Sequence, residues 1–250
     1  MRGAAGASIR VEGLCVAYGG RTALRDVSGV FAASSMTAVV GPNGSGKSTL
    51  LKTMMGLLRP SSGRVVWSGA RPREAAYLPQ AAEIDRSFPI SAQDVVLLGA
   101  WRRAGPFRRV DAAGADAARE AIAAVGLTGL EARPIGELST GQLQRVLFAR
   151  LIVQDAPAIL LDEPFAGVDA RTTRDLVAVV RRWRGEGRTV VAVLHDLDQI
   201  RAEFPEALLL AREKIAWGPT AEALDPERLR RARVVSDGWD EPGAGGATAA

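Results

Sequence analysis

The sequence predicts an α/β fold: a mainly parallel sheet, an antiparallel β edge at its start, and a helical segment inserted before the second half of the sheet. Three observations predict it. A glycine-rich loop, Gly41-Pro42-Asn43-Gly44-Ser45-Gly46-Lys47-Ser48-Thr49, follows directly on the apolar run Met36 to Val40 and precedes a helical pattern with Leu50, Leu51, Met54, Met55 and Leu58 along one face. From Ala158 onward, short apolar runs alternate with helical stretches, the pattern of a parallel sheet covered on both faces. Between these halves, residues 82–150 turn to a helical pattern. A chain of 250 residues is long enough to bury such a core.

The elements follow in order. Two antiparallel strands are expected over Ile9 to Ala17 and Thr22 to Phe31, joined by the turn Tyr18-Gly19-Gly20-Arg21. Val65-Val66-Trp67 and Ala75-Ala76-Tyr77-Leu78 read as further short strands, with Ser68-Gly69 and Arg71-Pro72 as turn residues between them. Helices are expected over Ala92 to Ala100, Ala112 to Val125 and Thr140 to Val153. The β-α alternation then runs through the strand Ala158 to Leu161, the helix Ala170 to Trp183, the strand Thr189 to Leu194, the helix Leu197 to Ala202 and the strand Ala207 to Leu210. The tail, 236–250, is rich in Gly, Ala and acid and is expected to be disordered. There is no internal repeat, so one site per chain is expected.

Composition is that of an ordinary globular protein, with 47% hydrophobic and 24% charged residues. No apolar run approaches the ~18 uncharged residues of a membrane span, and Met1 to Ser8 contain no apolar core of a secretory signal, which makes a cytoplasmic location the default. Cys15 is the only cysteine and excludes an internal disulfide; its apolar neighbours suggest a small core residue. A net charge of +4 does not by itself indicate nucleic acid. The clusters Arg102-Arg103, Arg108-Arg109, Arg181-Arg182-Arg184 and Arg228 to Arg233 read as solvated helix faces, with contact to anionic lipid as the lesser alternative.

The chemistry begins in the loop. Its spacing is G-x-x-x-x-G-K-[ST], in which glycines let the backbone curl with its N–H groups inward, at the positive end of the following helix. This binds the phosphates of a nucleoside triphosphate; Lys47 would reach the β and γ phosphates and the Ser48 hydroxyl would be a magnesium ligand. The strand Ala158 to Leu161 then delivers two acids, Asp162 and Glu163. Alone, such a pair is more often a helix N-cap, but beside a phosphate loop Asp162 would hold magnesium, through water, and Glu163 would act as general base on the attacking water. His195, the sole histidine, follows the apolar strand Val190 to Leu194 and either caps that strand or holds the attacking water near the γ phosphate. Gln80 is neutral and could also ligate magnesium.

Leu138-Ser139-Thr140-Gly141-Gln142-Leu143-Gln144-Arg145 resembles the signature of ATP-binding cassette (ABC) ATPases, whose usual form is L-S-G-G-Q. Its order relative to the phosphate loop, Gln80, Asp162-Glu163, Gly167-Val168-Asp169 and His195 matches that family, and the resemblance covers residues 9 to 224. It implies the ABC ATPase fold, a P-loop NTPase core over 1–81 and 151–235 with a helical subdomain at 82–150, the whole domain spanning 9–235. It implies a head-to-tail homodimer in which ATP lies between the phosphate loop of one copy and Ser139, Gly141 and Gln142 of the other. Tyr18 matches the aromatic that stacks on adenine, Asp169 the loop linking the two sites, and Gln80 the loop that senses magnesium and contacts a membrane partner. Thr140 departs from the pattern, standing where the first glycine of the signature is usual; at φ < 0 at a helix start it would cost little, and its hydroxyl could cap.

The segment Ile84-Asp85-Arg86-Ser87-Phe88-Pro89-Ile90-Ser91-Ala92-Gln93-Asp94-Val95-Val96-Leu97-Leu98-Gly99 is similar to that of zinc and manganese importer cassettes, as are Asp162 to Asp169 and Phe204 to Leu210. The resemblance implies an ATP-hydrolysing importer subunit with ATP and Mg2+ as its ligands. The resemblance further implies work at the cytoplasmic face of the membrane with an integral permease and, through it, an extracytoplasmic metal-binding protein, and no nucleic-acid partner is expected. The alternatives are a cassette for another substrate such as an iron chelate, an exporter subunit, or a soluble ABC ATPase outside transport.

Overall fold

The computed structural model describes residues 6–101 and 111–240. The pairs Arg102-Arg103 and Arg108-Arg109, the first five residues and 241–250 lie outside the described residues.

Three five-residue apolar runs make the centre of the molecule. β3 (Met36–Val40), β6 (Ala158–Asp162) and β7 (Thr189–Val193) are buried at every position, as strands covered on both faces must be. They lie inside a six-stranded sheet of order β5-β6-β7-β3-β8-β9, completed by β5 (Ala76–Leu78), β8 (Glu206–Ala211) and β9 (Glu213–Pro219). All neighbours are parallel except the β8–β9 hairpin. Alternation along each strand sends side chains to two separate cores. Met36, Ile159, Leu161, Val190 and Ala192 share one with Val95, Ile122, Val146 and Phe148 of the helical segment. Val39, Leu160 and Val191 share the other with Ile9, Leu14, Leu24 and Phe31.

That second core is roofed by a three-stranded antiparallel sheet, β2-β1-β4, made from β1 (Ser8–Tyr18), β2 (Arg21–Phe31) and β4 (Ser62–Ser68). Phe31 and Trp217 of β9 meet at 4.5 Å between ring centroids and join the two sheets. α1 (Lys47–Met54) packs into the same core through Leu50, Leu51 and Met54, and ends there, so Leu58 lies beyond it.

The helical segment holds α2 (Ala92–Leu97), capped by Ser91, α3 (Ala112–Ala124), capped by Asp111, and α4 (Thr140–Gln154), capped by Ser139. Residues 98–100 tighten into a 3-10 turn rather than continuing α2. Phe148 of α4 stacks on Trp183 at 5.6 Å and on Phe165 at 6.3 Å, fastening α4 to the α/β core. α5 (Ala170–Gly185) starts at the Asp169 cap and buries Leu176, Val180 and Trp183; α6 (Leu197–Glu203) starts at the Asp196 cap.

Three expectations need correction. The sequence suggested no element after Leu210, yet β9 pairs with β8, and α7 (Thr220–Ala223) and α8 (Pro226–Asp240) follow. The expected disorder from residue 236 does not begin there: residues 236–240 are helical, with Ser236 buried and Trp239 half-buried, because tertiary packing outweighs the local composition. Cys15 is half-buried on β1, the middle strand of the antiparallel sheet, rather than in the core, and its Sγ accepts a bond from the Asp26 N–H at 3.3 Å.

Candidate nucleotide site

Four neighbouring parallel strands end at one edge of the sheet, and each is followed by a residue that the sequence singled out. β5 leads to Gln80, β6 ends on Asp162 with Glu163 next, β7 leads to His195, and β3 leads into the glycine-rich loop. This is the rim where open α/β sheets hold their ligands.

The loop is shaped by close packing from outside. Gly46 caps α1 at φ 92, and a Cβ on it would collide with the Ala23 carbonyl; one on Gly41 would collide with the Leu210 carbonyl. α1 has no side-chain cap and no acid in its first turn, so no carboxylate competes for its first amides. The loop residues Asn43, Gly44, Ser45, Gly46, Lys47, Ser48 and Thr49 line a cavity of ≈ 360 Å³ together with Tyr18, Ala23, Gln80 and Glu163. That volume falls within the roughly 300–1,000 Å³ of small-molecule sites. Gly41 and Pro42 lie at the loop's root, where their carbonyls accept from Lys47 Nζ at 2.9 and 2.8 Å. Burial pulls the Lys47 ammonium below its ordinary pKa, with the charges of Glu163 and Asp162 acting in the opposite sense. Tyr18 stands half-exposed at the end of β1, on the cavity wall.

Beneath the loop, Asp162 is fully buried. Its Oδ1 accepts from Ser48 Oγ at 3.0 Å and from Gln80 Nε2 at 3.5 Å, and its Oδ2 from the Tyr77 hydroxyl at 3.4 Å. Burial lifts this carboxyl above the usual carboxylate range, the bonds from Ser48 and Gln80 oppose the rise, and the like charge of Glu163 adds to it. The Tyr77 phenol is also pushed up, by burial first and by Asp162 second. Glu163 Oε1 lies 2.9 Å from His195 Nε2 and accepts from Gln80 Nε2 at 3.2 Å. Glu163 sits at φ 51, a left-handed conformation that costs a non-glycine residue about 1–2 kcal/mol.

Ser48, Asp162 and Gln80 therefore converge as a hydroxyl, a carboxylate and an amide, the oxygen-rich donor set that suits Mg2+ beside a phosphate. The amide turns its nitrogen towards Ser48 Oγ at 3.1 Å, and half a turn of the group presents its oxygen instead. Tyr77 is the residue that sequence reasoning passed over. Its signal was a lone polar group in an otherwise apolar strand two residues before Pro79-Gln80.

The signature residues stand apart from this cavity, whose lining includes none of Ser139, Thr140, Gly141, Gln142 or Asp169. Ser139 and Thr140 are exposed at the start of α4. Ser139 Oγ accepts from the Gln142 N–H, and Gln142 Oε1 accepts from the Ser139 N–H, a closed capping box. The cap is therefore Ser139, and Thr140 occupies the first helical position at negative φ. Arg145 links this helix to the Asp169 loop: its Nη2 donates to Thr172 Oγ1, which donates to Asp169 Oδ2 at 2.8 Å. Among the described residues no helix is long and apolar enough to cross a membrane.

Comparison with known proteins adds three likenesses and a family. The ABC transporter family profile matches residues 24–166. The manganese transport system ATP-binding protein MntB of Listeria monocytogenes is 38% identical over 227 residues, covering 89% of this chain and 94% of that protein. The zinc transport system ATP-binding protein TroB of Treponema pallidum is 41% identical over 230 residues, covering 90% of this chain and 86% of its own length. Among solved structures, an ABC transporter assigned to the metal-chelate type, in an inward-facing conformation, superposes with a TM-score of 0.80 at 28% identity, over 91% of this chain and 89% of that one.

Proposed function

The chain belongs to the ABC transporter family, and on that premise we propose that it is the ATP-hydrolysing subunit of a metal-ion importer that takes up manganese or zinc through a separate membrane permease. The observation that carries the choice of cargo is the identity of 38% and 41%, over nine-tenths of the chain, to cassettes named for manganese and zinc transport.

The geometry supports a direct attack of water on the γ phosphate. Glu163 takes the proton of that water as general base, and His195, 2.9 Å from its carboxylate, holds the water and the base in line. Lys47 binds the β and γ phosphates, the loop amides cradle them, and Tyr18 stacks on the adenine. Ser48, Gln80 and Asp162 would hold Mg2+, which would supply positive charge against the phosphates. The signature, with Ser139 and Thr140 exposed and Gly141 and Gln142 half-buried, lies outside its own chain's cavity, which favours a head-to-tail homodimer in which it closes over the partner's ATP. The Arg145–Thr172–Asp169 chain of bonds then couples signature and dimer loop as one unit. The cassette works at the cytoplasmic face of the membrane, held there by the permease, and an extracytoplasmic metal-binding protein delivers the ion.

Reconstitution with the native permease and binding protein tests this reading. ATP turnover is expected to rise when the binding protein is loaded with manganese or zinc. Stimulation by an iron chelate alone overturns the cargo, and recovery of the tagged chain only with cytosolic proteins overturns the transport role.

A further inference from the structure

We infer that Arg212 is a positioning residue for the phosphate loop, and that Trp239 on the C-terminal helix is the platform that holds Arg212 in place; this rests on reading residues 41–49 as the ATP loop. Arg212 forms the tip of the β8–β9 hairpin, between the paired residues Ala211 and Glu213, at φ 60. Hydrogen bonds tie this tip to its surroundings. Its N–H donates to the Ser45 carbonyl at 2.8 Å, and its own carbonyl accepts from the Arg25 N–H at 2.7 Å. Its Nε donates to the Gly44 carbonyl at 3.3 Å and its Nη1 to the Thr22 carbonyl at 3.5 Å.

The bonds to Gly44 and Ser45 act on the loop through peptide planarity. In a trans peptide the C=O and the following N–H point in opposite directions. Carbonyls held from outside by Arg212 therefore turn the N–H groups of Ser45 and Gly46 towards the inner side, where phosphate oxygens bind. The Ser45 N–H makes one long bond there, to the Pro42 carbonyl at 3.3 Å. Gly44 and Gly46 sit at φ 75 and 92, and glycine's freedom makes those peptide orientations easy to lose without an external tie.

The guanidinium is itself held. The Trp239 ring lies 5.6 Å from Arg212 Cζ and 5.7 Å from Arg25 Cζ, within the range of a cation–π contact. Trp239 is near the end of α8, which packs on β8 and β9, the hairpin that carries Arg212. The far end of the sequence thus reaches the phosphate loop through a ring, a guanidinium and two carbonyls. Neither Arg212 nor Trp239 lines the cavity that holds Glu163, so their effect is on nucleotide affinity and not on the chemical step.

Titration calorimetry of the full chain with ATP tests this, alongside thermal melting of the same samples without nucleotide and steady-state turnover. Trp239→Ala is expected to weaken ATP binding about two- to fivefold, the range of one half-exposed cation–π contact. KM should rise with kcat kept, because Glu163 and His195 are untouched. Trp239→Phe, which keeps a π face, should stay within about twofold of the wild type. If Trp239→Ala does not fold, Arg212→Gly serves in its place: glycine accepts φ 60 without strain, and loss of the guanidinium should weaken binding at least as much. Wild-type affinity in Trp239→Ala or Arg212→Gly, or equal loss in the Ala and Phe variants, overturns the inference. A wild-type chain that binds no ATP would instead overturn the reading of the loop.

Discussion

Replacing Glu163 by glutamine separates charge from shape at the proposed base. Glu163 Oε1 is 2.9 Å from His195 Nε2 and accepts from Gln80 Nε2 at 3.2 Å. The amide oxygen of glutamine can accept from both, so the side chain should keep its place. What disappears is the negative charge, and with it the ability to take a proton from water. General-base catalysis is worth about 10²–10⁴ in rate, which corresponds to about 2.7–5.4 kcal/mol of barrier. Stability should hardly move. Removal of the Glu163 charge relieves repulsion on the buried Asp162 carboxyl and gives up attraction to the buried Lys47 ammonium, two opposing effects, while no hydrogen bond is lost. A change within about 0.5 kcal/mol shifts the Tm of a chain this size by at most about 2 °C. The assay is ATP turnover of the assembled transporter, with melting of the isolated cassette as the control and size-exclusion chromatography with ATP to detect a trapped dimer. Turnover below a hundredth of wild type, an unchanged Tm and a dimer that forms with ATP are expected. Retention of more than a tenth of wild-type turnover would refute the assignment of Glu163 as base.

Thr140→Gly in the assembled transporter should change turnover by less than about tenfold, since Thr140 lies at the first helical position, where side chain and backbone are both tolerated, and the cap belongs to Ser139; a larger rise would show that the side chain obstructs the site. Asp162→Asn should abolish most turnover yet raise the melting temperature near neutral pH. The sign follows from burial: the folded state holds the Asp162 proton more tightly than the unfolded one, so the ionised group costs stability above its folded-state pKa, and that cost fades as the pH falls through it. The gain in Tm should therefore shrink towards about pH 4, the range of an unperturbed carboxyl. A variant that melts below the wild type at neutral pH, or whose gain is the same at both pH values, contradicts this.

The candidate site was legible in the sequence wherever a candidate residue ends or follows an apolar strand. Met36 to Val40, Ala158 to Leu161 and Val190 to Leu194 announce the centre of the sheet because residues buried on both faces are apolar without alternation, and the loop, Asp162 and His195 come next in each case. Tyr77 left only the faint signal of a polar group in an apolar strand, and Arg212 and Trp239 left none, because what distinguishes each is a partner far away in the chain: Asp162 for Tyr77, the Gly44 and Ser45 carbonyls for Arg212, two guanidinium groups for Trp239. β9 escaped for a different reason. Lys214, Gly218 and Pro219 dilute its β pattern, and its antiparallel pairing with the buried β8 supplies the order that its own residues do not.

Adjacent residues Asp162 and Glu163 have opposite surroundings, and the backbone between them shows how. Asp162, the last residue of β6, points down into the sheet edge at full burial, while Glu163 is only a quarter exposed but faces the cavity. Simple strand alternation would turn the second carboxylate away from Ser48; the φ of 51 at Glu163 breaks the alternation and keeps both acids near the loop. Strain of that kind persists only when neighbours hold it. Here the Ala166 N–H closes a turn onto the Glu163 carbonyl at 3.2 Å, and the next residue's carbonyl, that of Pro164, accepts a buried 2.6 Å bond from Gln144 Nε2. Gln144 belongs to α4, two residues beyond Gln142 of the signature. The helix that opens with Ser139 thus braces, from behind, the backbone that carries the proposed base, while Asp162 is held separately by Ser48 and Tyr77.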